Sequence, residues 1–170
     1  WQVKTWCGLE AKTIYNPVRN LIADLDTVPF PDRGLYYDRY PKLAQYPTRR
    51  IFGTRGCPYK CTFCFNHAYI MTYAGKGIYI RRRSAQNVIQ EILETHIKFP
   101  MQTVRFPDDS FTINKKWLLE FLSLYKEKVP LPFTCLARGN ELDEEVVAAL
   151  KAANCINVFF GVETGNEKYR

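Results

Sequence analysis

Short apolar runs alternate with amphipathic segments over most of this chain, and this alternation constrains its fold more than any other feature. The predicted strands are four short segments: residues 50–54, 103–106, 133–137 and 156–160. Strands that alternate with helices pair in parallel through right-handed crossovers. The pattern therefore predicts an α/β fold built on a parallel sheet.

Three helices are predicted between these strands. The first follows Ser84, the second starts near Asn114, and the third is capped by Asp143, all residue types that favour helix N-termini. Their predicted buried faces repeat at helical spacing and comprise Val88, Ile89, Ile92, Leu93 and Ile97; Trp117, Leu118, Phe121, Leu122 and Tyr125; and Val146, Val147 and Leu150. Each helix thus has one side that can pack on the sheet.

The chain divides into two predicted parts. Residues 49–170 are expected to form the N-terminal half of a partial parallel (β/α) barrel, truncated after about four strands. Residues 1–48 contain four prolines between Pro29 and Pro47 and little periodicity, which predicts a connector. The connector is expected to lie across a neighbouring surface because it carries several apolar side chains, namely Phe30, Leu35, Tyr36, Tyr37 and Tyr40. Because the chain starts at Trp1 and ends soon after a predicted strand, we expect a piece of a longer protein.

The charge balance does not by itself indicate a partner. Lys and Arg outnumber Asp and Glu by 24 to 17, giving a net charge of +7, which we interpret as a solubilising surface. The basic run at residues 81–83 has no interleaved aromatic residues, so nucleic acid is not an expected partner. No apolar run is long enough to span a bilayer and no leader is visible, so we expect a cytoplasmic protein.

Six cysteines are present, and three of them fall within eight residues. This distribution favours one metal site in a reducing compartment over a disulfide framework. Cys135 and Cys155 lie in apolar, strand-like contexts, where a free thiol behaves as a small buried side chain.

Cys57, Cys61 and Cys64 follow directly on the first predicted strand, at the sheet edge where functional groups gather. Three thiolates on one loop can hold a [4Fe–4S] cluster with one open iron, whereas four cysteines would saturate it. His67 offers an alternative, a Cys₃His zinc site. A fourth thiolate from a distant cysteine would instead give an electron-transfer cluster. Spacing alone favours the open cluster and the zinc site about equally, and an unligated loop less than either.

The spacing C-x₃-C-x₂-C, with Phe63 just before the last cysteine, resembles the signature of the radical S-adenosylmethionine superfamily. The flanking Gly-Cys-Pro and Cys-Thr-Phe-Cys-Phe resemble the version in its cobalamin-associated branch, which includes the anaerobic porphyrin cyclase-like proteins. The proline-rich connector resembles the segment that joins the cobalamin-binding domain to the barrel in that branch. The resemblance extends from about Asn16 to Arg170.

This resemblance implies that the open iron binds S-adenosylmethionine, which one electron cleaves to methionine and a 5′-deoxyadenosyl radical. The full-length protein would be a cobalamin-dependent methyltransferase or cyclase acting on an unknown substrate, reduced by a flavodoxin or ferredoxin. Phe63 would shape the loop, with its backbone facing the adenine. Two alternatives remain: a methylthiotransferase-like radical enzyme, and a zinc-stabilised interaction or nucleic-acid-binding domain.

The resemblance also suggests cofactor-binding residues at the ends of later strands. Asp108 and Asp109 would accept hydrogen bonds from the ammonium group of S-adenosylmethionine, with Asp108 slightly favoured; a helix-capping turn is equally compatible. Arg138 would pair with the carboxylate, unless it forms a surface salt bridge with Glu141 or Asp143. Glu163, in a segment similar to the family's Gly-Val-Glu-Ser-Gly pattern, would bind the ribose hydroxyls or the amino group.

Overall fold

A computed structural model describes residues 2–7 and 10–169, with side chains for residues 15–168. Its strands are β1 (Gln2–Cys7), β2 (Glu10–Tyr15), β3 (Thr48–Arg50), β4 (Thr54–Arg55), β5 (Arg81–Arg82), β6 (Thr103–Phe106), β7 (Phe133–Leu136) and β8 (Cys155–Phe159). Its helices are α1 (Gly34–Tyr37), α2 (Pro41–Ala44), α3 (Asn66–Thr72), α4 (Ala85–Lys98), α5 (Lys115–Lys128) and α6 (Glu144–Ala152).

The central sheet has the strand order β3-β6-β7-β8, and all three pairings are parallel. Helix α4 precedes β6, α5 connects β6 to β7, and α6 connects β7 to β8. This confirms the predicted α/β fold with four parallel strands, which is compatible with part of a (β/α) barrel.

Each of the three long helices begins at a side-chain cap, as predicted. The side-chain oxygens of Ser84, Asn114 and Asp143 accept hydrogen bonds from backbone N–H groups three residues further on, at 3.1, 2.8 and 2.9 Å. Two predicted buried positions are wrong. Ile97 is 82% exposed because it lines an open groove between α4 and α5, and Val147 is 50% exposed on α6.

Aromatic side chains fill the core between the sheet and helix α5. The Phe106 ring stacks on Phe111 at 4.5 Å and meets Phe121 edge-on at 5.4 Å. Tyr125 is fully buried and donates its hydroxyl to the carbonyl of Leu131 at 3.0 Å, so its polar atom is satisfied. This core fixes the carboxyl ends of β6 and β7, where the loops that follow carry polar residues.

The first strand of the sheet is shorter and earlier than the predicted segment 50–54. Pairing with β6 ends near Ile51, whose N–H donates to the Arg105 carbonyl at 3.0 Å. Gly53 and Thr54 bind Asp108 instead of β6. The Oδ1 atom of Asp108 accepts hydrogen bonds from the N–H of Gly53 at 2.9 Å, from the N–H of Thr54, and from the Thr54 hydroxyl at 2.7 Å. Residues 54–55 consequently leave the sheet and pair with β5 in a separate antiparallel ladder.

The Asp108 carboxyl is 1% exposed, and its Oδ2 atom is buried without a hydrogen-bond partner. Burial raises the pKa of Asp108 from 3.8 to about 6, although the three hydrogen bonds to Oδ1 oppose the shift. Folding therefore favours the protonated form of the Asp108 carboxyl over its charged form.

The amino-terminal part differs most from its prediction. Strands β1 and β2 pair in antiparallel fashion, which the prediction of a connector over residues 1–48 did not include. Leu35, Tyr36 and Tyr40 are more than half exposed, so these three side chains are not buried against the rest of the chain. The connector packs instead through Leu25, which is 9% exposed, and through Tyr37, whose ring meets Phe99 at 4.8 Å.

A buried ion cluster fastens the connector to helix α4. Glu91 is 2% exposed and binds the guanidinium of Arg33, on the connector, at 2.9 Å and that of Arg83. Arg33 also donates to the Arg50 carbonyl at 3.0 Å, so the same side chain reaches the outer strand of the sheet.

None of the helices in the described part of the chain is both long enough and apolar enough to span a membrane.

We predict that Glu91→Ala lowers the free energy of unfolding by about 3–5 kcal/mol, because it leaves two buried guanidinium groups without their counter-ion. Urea denaturation measures the change. Glu94→Ala, on an exposed position of the same helix, is the matched control and should change stability by less than about 0.5 kcal/mol. Equal losses for the two variants would contradict the role of the Glu91 cluster.

Asp108 predicts a dependence of stability on pH. Because its pKa is 3.8 unfolded and about 6 folded, its stabilising contribution is present below about pH 4 and lost as pH rises through about 6. The free energy of unfolding of the native chain minus that of Asp108→Asn should therefore fall by about 3 kcal/mol over this range. Chemical denaturation at several pH values tests this, and Asp109→Asn, at an exposed position, should keep the native dependence. If the difference in free energy of unfolding between the native chain and Asp108→Asn stayed constant with pH, the raised pKa of Asp108 would be ruled out.

Candidate cofactor site

The three clustered cysteines lie on the loop between β4 and helix α3. Gly56 starts this loop with a φ of 84°, and a Cβ atom there would lie 2.7 Å from the Tyr79 carbonyl oxygen, so only glycine fits. Cys57 is 8% exposed, whereas Cys61 and Cys64 are half-buried, and all three are free thiols. The N–H of Cys64 donates to the Cys61 carbonyl at 3.0 Å, which closes a tight turn around the last two cysteines.

The thiols are not gathered around one point. Among the residues that the structure describes, no three His, Cys, Asp or Glu side chains are placed to hold a metal ion together. The donor chemistry nevertheless fits an iron–sulfur cluster, because three free thiols occupy one short loop. Two other cysteines are poor candidates for a fourth ligand: Cys135 is fully buried in the core, and Cys155 begins β8, at the end of the sheet away from the loop.

Arg138 approaches the cysteine loop from the end of β7. Its Nη1 atom lies 3.4 Å from Cys61 Sγ, and its guanidinium carbon lies 3.8 Å from the centroid of the Tyr59 ring. The hydrogen bond to Cys61 raises the pKa of Arg138, so the guanidinium stays charged beside the sulfur. The expected alternative, a salt bridge with Glu141 or Asp143, is not formed within the described residues.

Glu141 holds the cysteine loop against the loops that follow β6 and β7. Its Oε2 atom accepts hydrogen bonds from the hydroxyls of Ser110 and Thr112, each at 2.5 Å. Its Oε1 atom accepts one from the Tyr59 hydroxyl at 3.2 Å. Since Arg138 lies on the Tyr59 ring, this one carboxylate fixes both the loop and the surface beneath the arginine.

Burial raises the pKa of the Cys57 thiol. The charges of Asp109 and Cys61 act in the same direction, while the backbone N–H of Tyr59 and the charge of Arg138 oppose them. A cation beside the loop therefore offsets the cost of forming thiolates there.

The two neighbouring aspartates have different environments. Asp108 is buried and uses Oδ1 to hold Gly53 and Thr54, so it acts on the backbone that leads into the cysteine loop. Asp109 is exposed, and its charge influences Cys57 and Tyr79, which places an accessible carboxylate near the loop. The geometry favours Asp109 over Asp108 as the carboxylate available to a ligand.

Phe63 and Glu163 are not brought into contact with this group. Phe63 is 71% exposed on the cysteine loop. Glu163 is exposed and has a φ of 63°, with its carboxylate folded back so that a Cβ atom on Gly161 would lie 2.0 Å from Oε1. The positive φ of Glu163, which is uncommon for a residue other than glycine, shows that the segment after β8 has a specific shape.

Sequence reasoning missed Tyr59, Ser110, Thr112 and Glu141 as site residues. One local signal was available, because the hydroxyl residues Ser110 and Thr112 follow the carboxyl end of β6, where functional groups gather in parallel sheets. No local signal identifies Glu141, whose partners are at least 29 residues away, apart from the neighbouring Arg138.

Comparison with known proteins places these features in a family. The model of the radical SAM superfamily matches residues 51–170. An uncharacterized methyltransferase of Pyrococcus horikoshii is 31% identical over 154 residues, covering 89% of this chain and 32% of that protein. The cytidylyl-2-hydroxyethylphosphonate methyltransferase of Streptomyces wedmorensis is 26% identical over 165 residues, covering 90% of this chain and 29% of that protein. The chain thus spans about a third or less of the length of these relatives.

A solved structure shares the fold. It is the radical S-adenosylmethionine methyltransferase TsrM from Kitasatospora setae, determined with cobalamin and a [4Fe–4S] cluster bound. The TM-score is 0.59 at 19% identity, over 70% of this chain and 23% of TsrM. Because the family match spans the cysteine loop and three of the four parallel strands, β6, β7 and β8, the chain belongs to the radical SAM superfamily of enzymes.

Proposed function

We propose that this chain holds a [4Fe–4S] cluster through Cys57, Cys61 and Cys64 and positions S-adenosylmethionine for reductive cleavage. The observation that carries the proposal is three free thiols on one short loop, with the Arg138 guanidinium 3.4 Å from the Cys61 sulfur. When bound, the cluster supplies the electron that cleaves S-adenosylmethionine to methionine and a 5′-deoxyadenosyl radical.

The residues around the loop have distinct proposed roles. Asp109, as the exposed carboxylate, would accept hydrogen bonds from the ammonium group of S-adenosylmethionine. Arg138 would balance the negative charge of the thiolates, and its planar guanidinium can also pair with the ligand carboxylate. Asp108 and Glu141 would act indirectly, by fixing the start of the loop and Tyr59. Phe63 and Glu163 would meet the ligand at the loop and after β8.

For the complete protein we propose a cobalamin-dependent methyltransferase. Two relatives are named methyltransferases, and TsrM was solved with cobalamin bound. The connector ahead of the barrel supports the same assignment, because a cobalamin-binding domain would precede it. The free thiols suit a reducing cytoplasm, and the net charge of +7 would attract an acidic flavodoxin or ferredoxin as electron donor.

Cys61→Ala should abolish cluster assembly, because two loop cysteines cannot hold the cluster. After anaerobic reconstitution with iron and sulfide, the native chain should bind about four iron atoms and give a reduced paramagnetic signal that shifts with S-adenosylmethionine. Cys155→Ala, which removes a free thiol outside the loop, should leave iron content and signal intact.

Two outcomes would overturn the ligand assignment. One is a native iron content in Cys61→Ala. The other is a colourless native chain that binds one zinc ion and loses it in His67→Ala, which would establish the Cys₃His site instead.

Arg138→Gln should lower the reduction potential of the cluster, because a cation near a ligand sulfur stabilises the more negative reduced state. Loss of about 1.4 kcal/mol of this interaction corresponds to about 60 mV for one electron. Redox titration of the reconstituted chain measures the potential. Arg138→Lys should retain most of the native value, and Arg39→Gln, an exposed arginine on the connector, serves as the control. An unchanged potential in Arg138→Gln would contradict the proposed contact.

A further inference from the structure

A second cavity, of about 520 Å³, lies between the connector and the outer strand β3. The β4–β5 ladder and helix α4 complete its walls, and no cysteine of the loop lines it. Its volume falls within the range of small-molecule sites. Nothing in the family match or in the proposed cluster site accounts for it.

The cavity is lined by five arginines but by a single carboxylate. Arg33 and Arg83 share Glu91 and are satisfied by it. Arg50, Arg55 and Arg81 form no ion pair with any residue that the structure describes. Since the carboxylate neutralises one charge of five, the lining carries a surplus of four positive charges.

Arg81 is the arginine whose surroundings most clearly lack an anion. Its Nη1 donates to the Ile22 carbonyl at 2.6 Å, but its Nε is buried without a hydrogen-bond partner. Burial lowers the pKa of its guanidinium, and the like charge of Arg55 lowers it further. A bound anion would offset the repulsion between the like charges of Arg55 and Arg81.

The interior of the cavity is apolar. Leu25 and Ile51 are at most 9% exposed and form part of its lining, together with the rings of Phe30 and Phe52. The guanidinium carbon of Arg55 lies 4.6 Å from the Phe52 ring centroid, which joins the cationic and aromatic parts of the wall. Such a cavity suits a ligand with an apolar or planar body and an anionic group at one end.

We propose that this cavity binds an organic phosphate, with the phosphate at Arg55 and Arg81 and the apolar body against Phe30 and Phe52. Phosphate is favoured over carboxylate because a phosphate monoester has three terminal oxygens and a charge of about −1.5 to −2 at pH 7, whereas a carboxylate has two oxygens and a single charge. The proposal does not rest on the cluster assignment, since the two sites share no residue. It can therefore be tested on the chain without iron.

The probe is 1-naphthyl phosphate, whose fluorescence reports binding and which lacks any nucleoside that S-adenosylmethionine sites recognise. We expect saturable binding that is at least tenfold tighter than that of 1-naphthol or inorganic phosphate, and tighter than that of 1-naphthoate. Two substitutions, Arg55→Glu and Arg81→Ala, should each weaken binding at least tenfold. Arg55 is exposed, so its substitution should not prevent folding. Lys126→Glu, an equal charge reversal on α5 outside the cavity, should change it by less than twofold.

Three results would overturn the proposal: no saturable binding at millimolar probe, equal affinity for 1-naphthol, or equal weakening by Lys126→Glu and Arg55→Glu. Tighter binding of 1-naphthoate than of the phosphate would also overturn it and would assign the site to carboxylates. Failure of cluster assembly in Cys61→Ala has no bearing on any of these measurements.

Discussion

One buried carboxyl group, that of Asp108, organises the edge of the sheet at which the cysteine loop begins. It accepts hydrogen bonds from two consecutive residues that follow the first strand, so the chain must leave the sheet there. The cysteine loop begins two residues later. A buried acceptor without its donors would cost about 1–3 kcal/mol per lost bond, which makes this exit point well determined. The position of the cysteine loop thus depends on an acid group that lies outside the loop.

Glu141 and Arg138 complete the arrangement from the neighbouring strand. Glu141 gathers the hydroxyls of Tyr59, Ser110 and Thr112, and Arg138 lies between the Tyr59 ring and the Cys61 sulfur. The same set of contacts therefore fixes the shape of the cysteine loop and the position of the positive charge beside Cys61. An arginine held against an aromatic ring loses little freedom when it meets an anion, so its charge is available without reorganisation.

The sequence predicts features that depend on neighbouring residues, but it does not predict contacts between residues that are far apart in the chain. The strand at residues 103–106 and the cap at Ser84 follow from periodicity and capping chemistry, which depend on near neighbours. The first strand was misplaced because Asp108, more than fifty residues away, withdraws its end from the ladder. The sequence does contain a signal for the β1–β2 pair, namely two strand-like runs on either side of Gly8 and Leu9. Glu141 had no local signal, because its role lies in contacts between loops.

The two borders of the sheet are not equivalent. On one side, Arg33 caps the Arg50 carbonyl, and the connector lies over β3. On the other, β8 has no further strand beside it in the described part of the chain, and Ile156 and Phe159 are about half exposed. Unpaired backbone groups at the border of a sheet can accept a further strand. In a larger barrel, a further strand could therefore pair with β8, whereas the connector already covers part of β3.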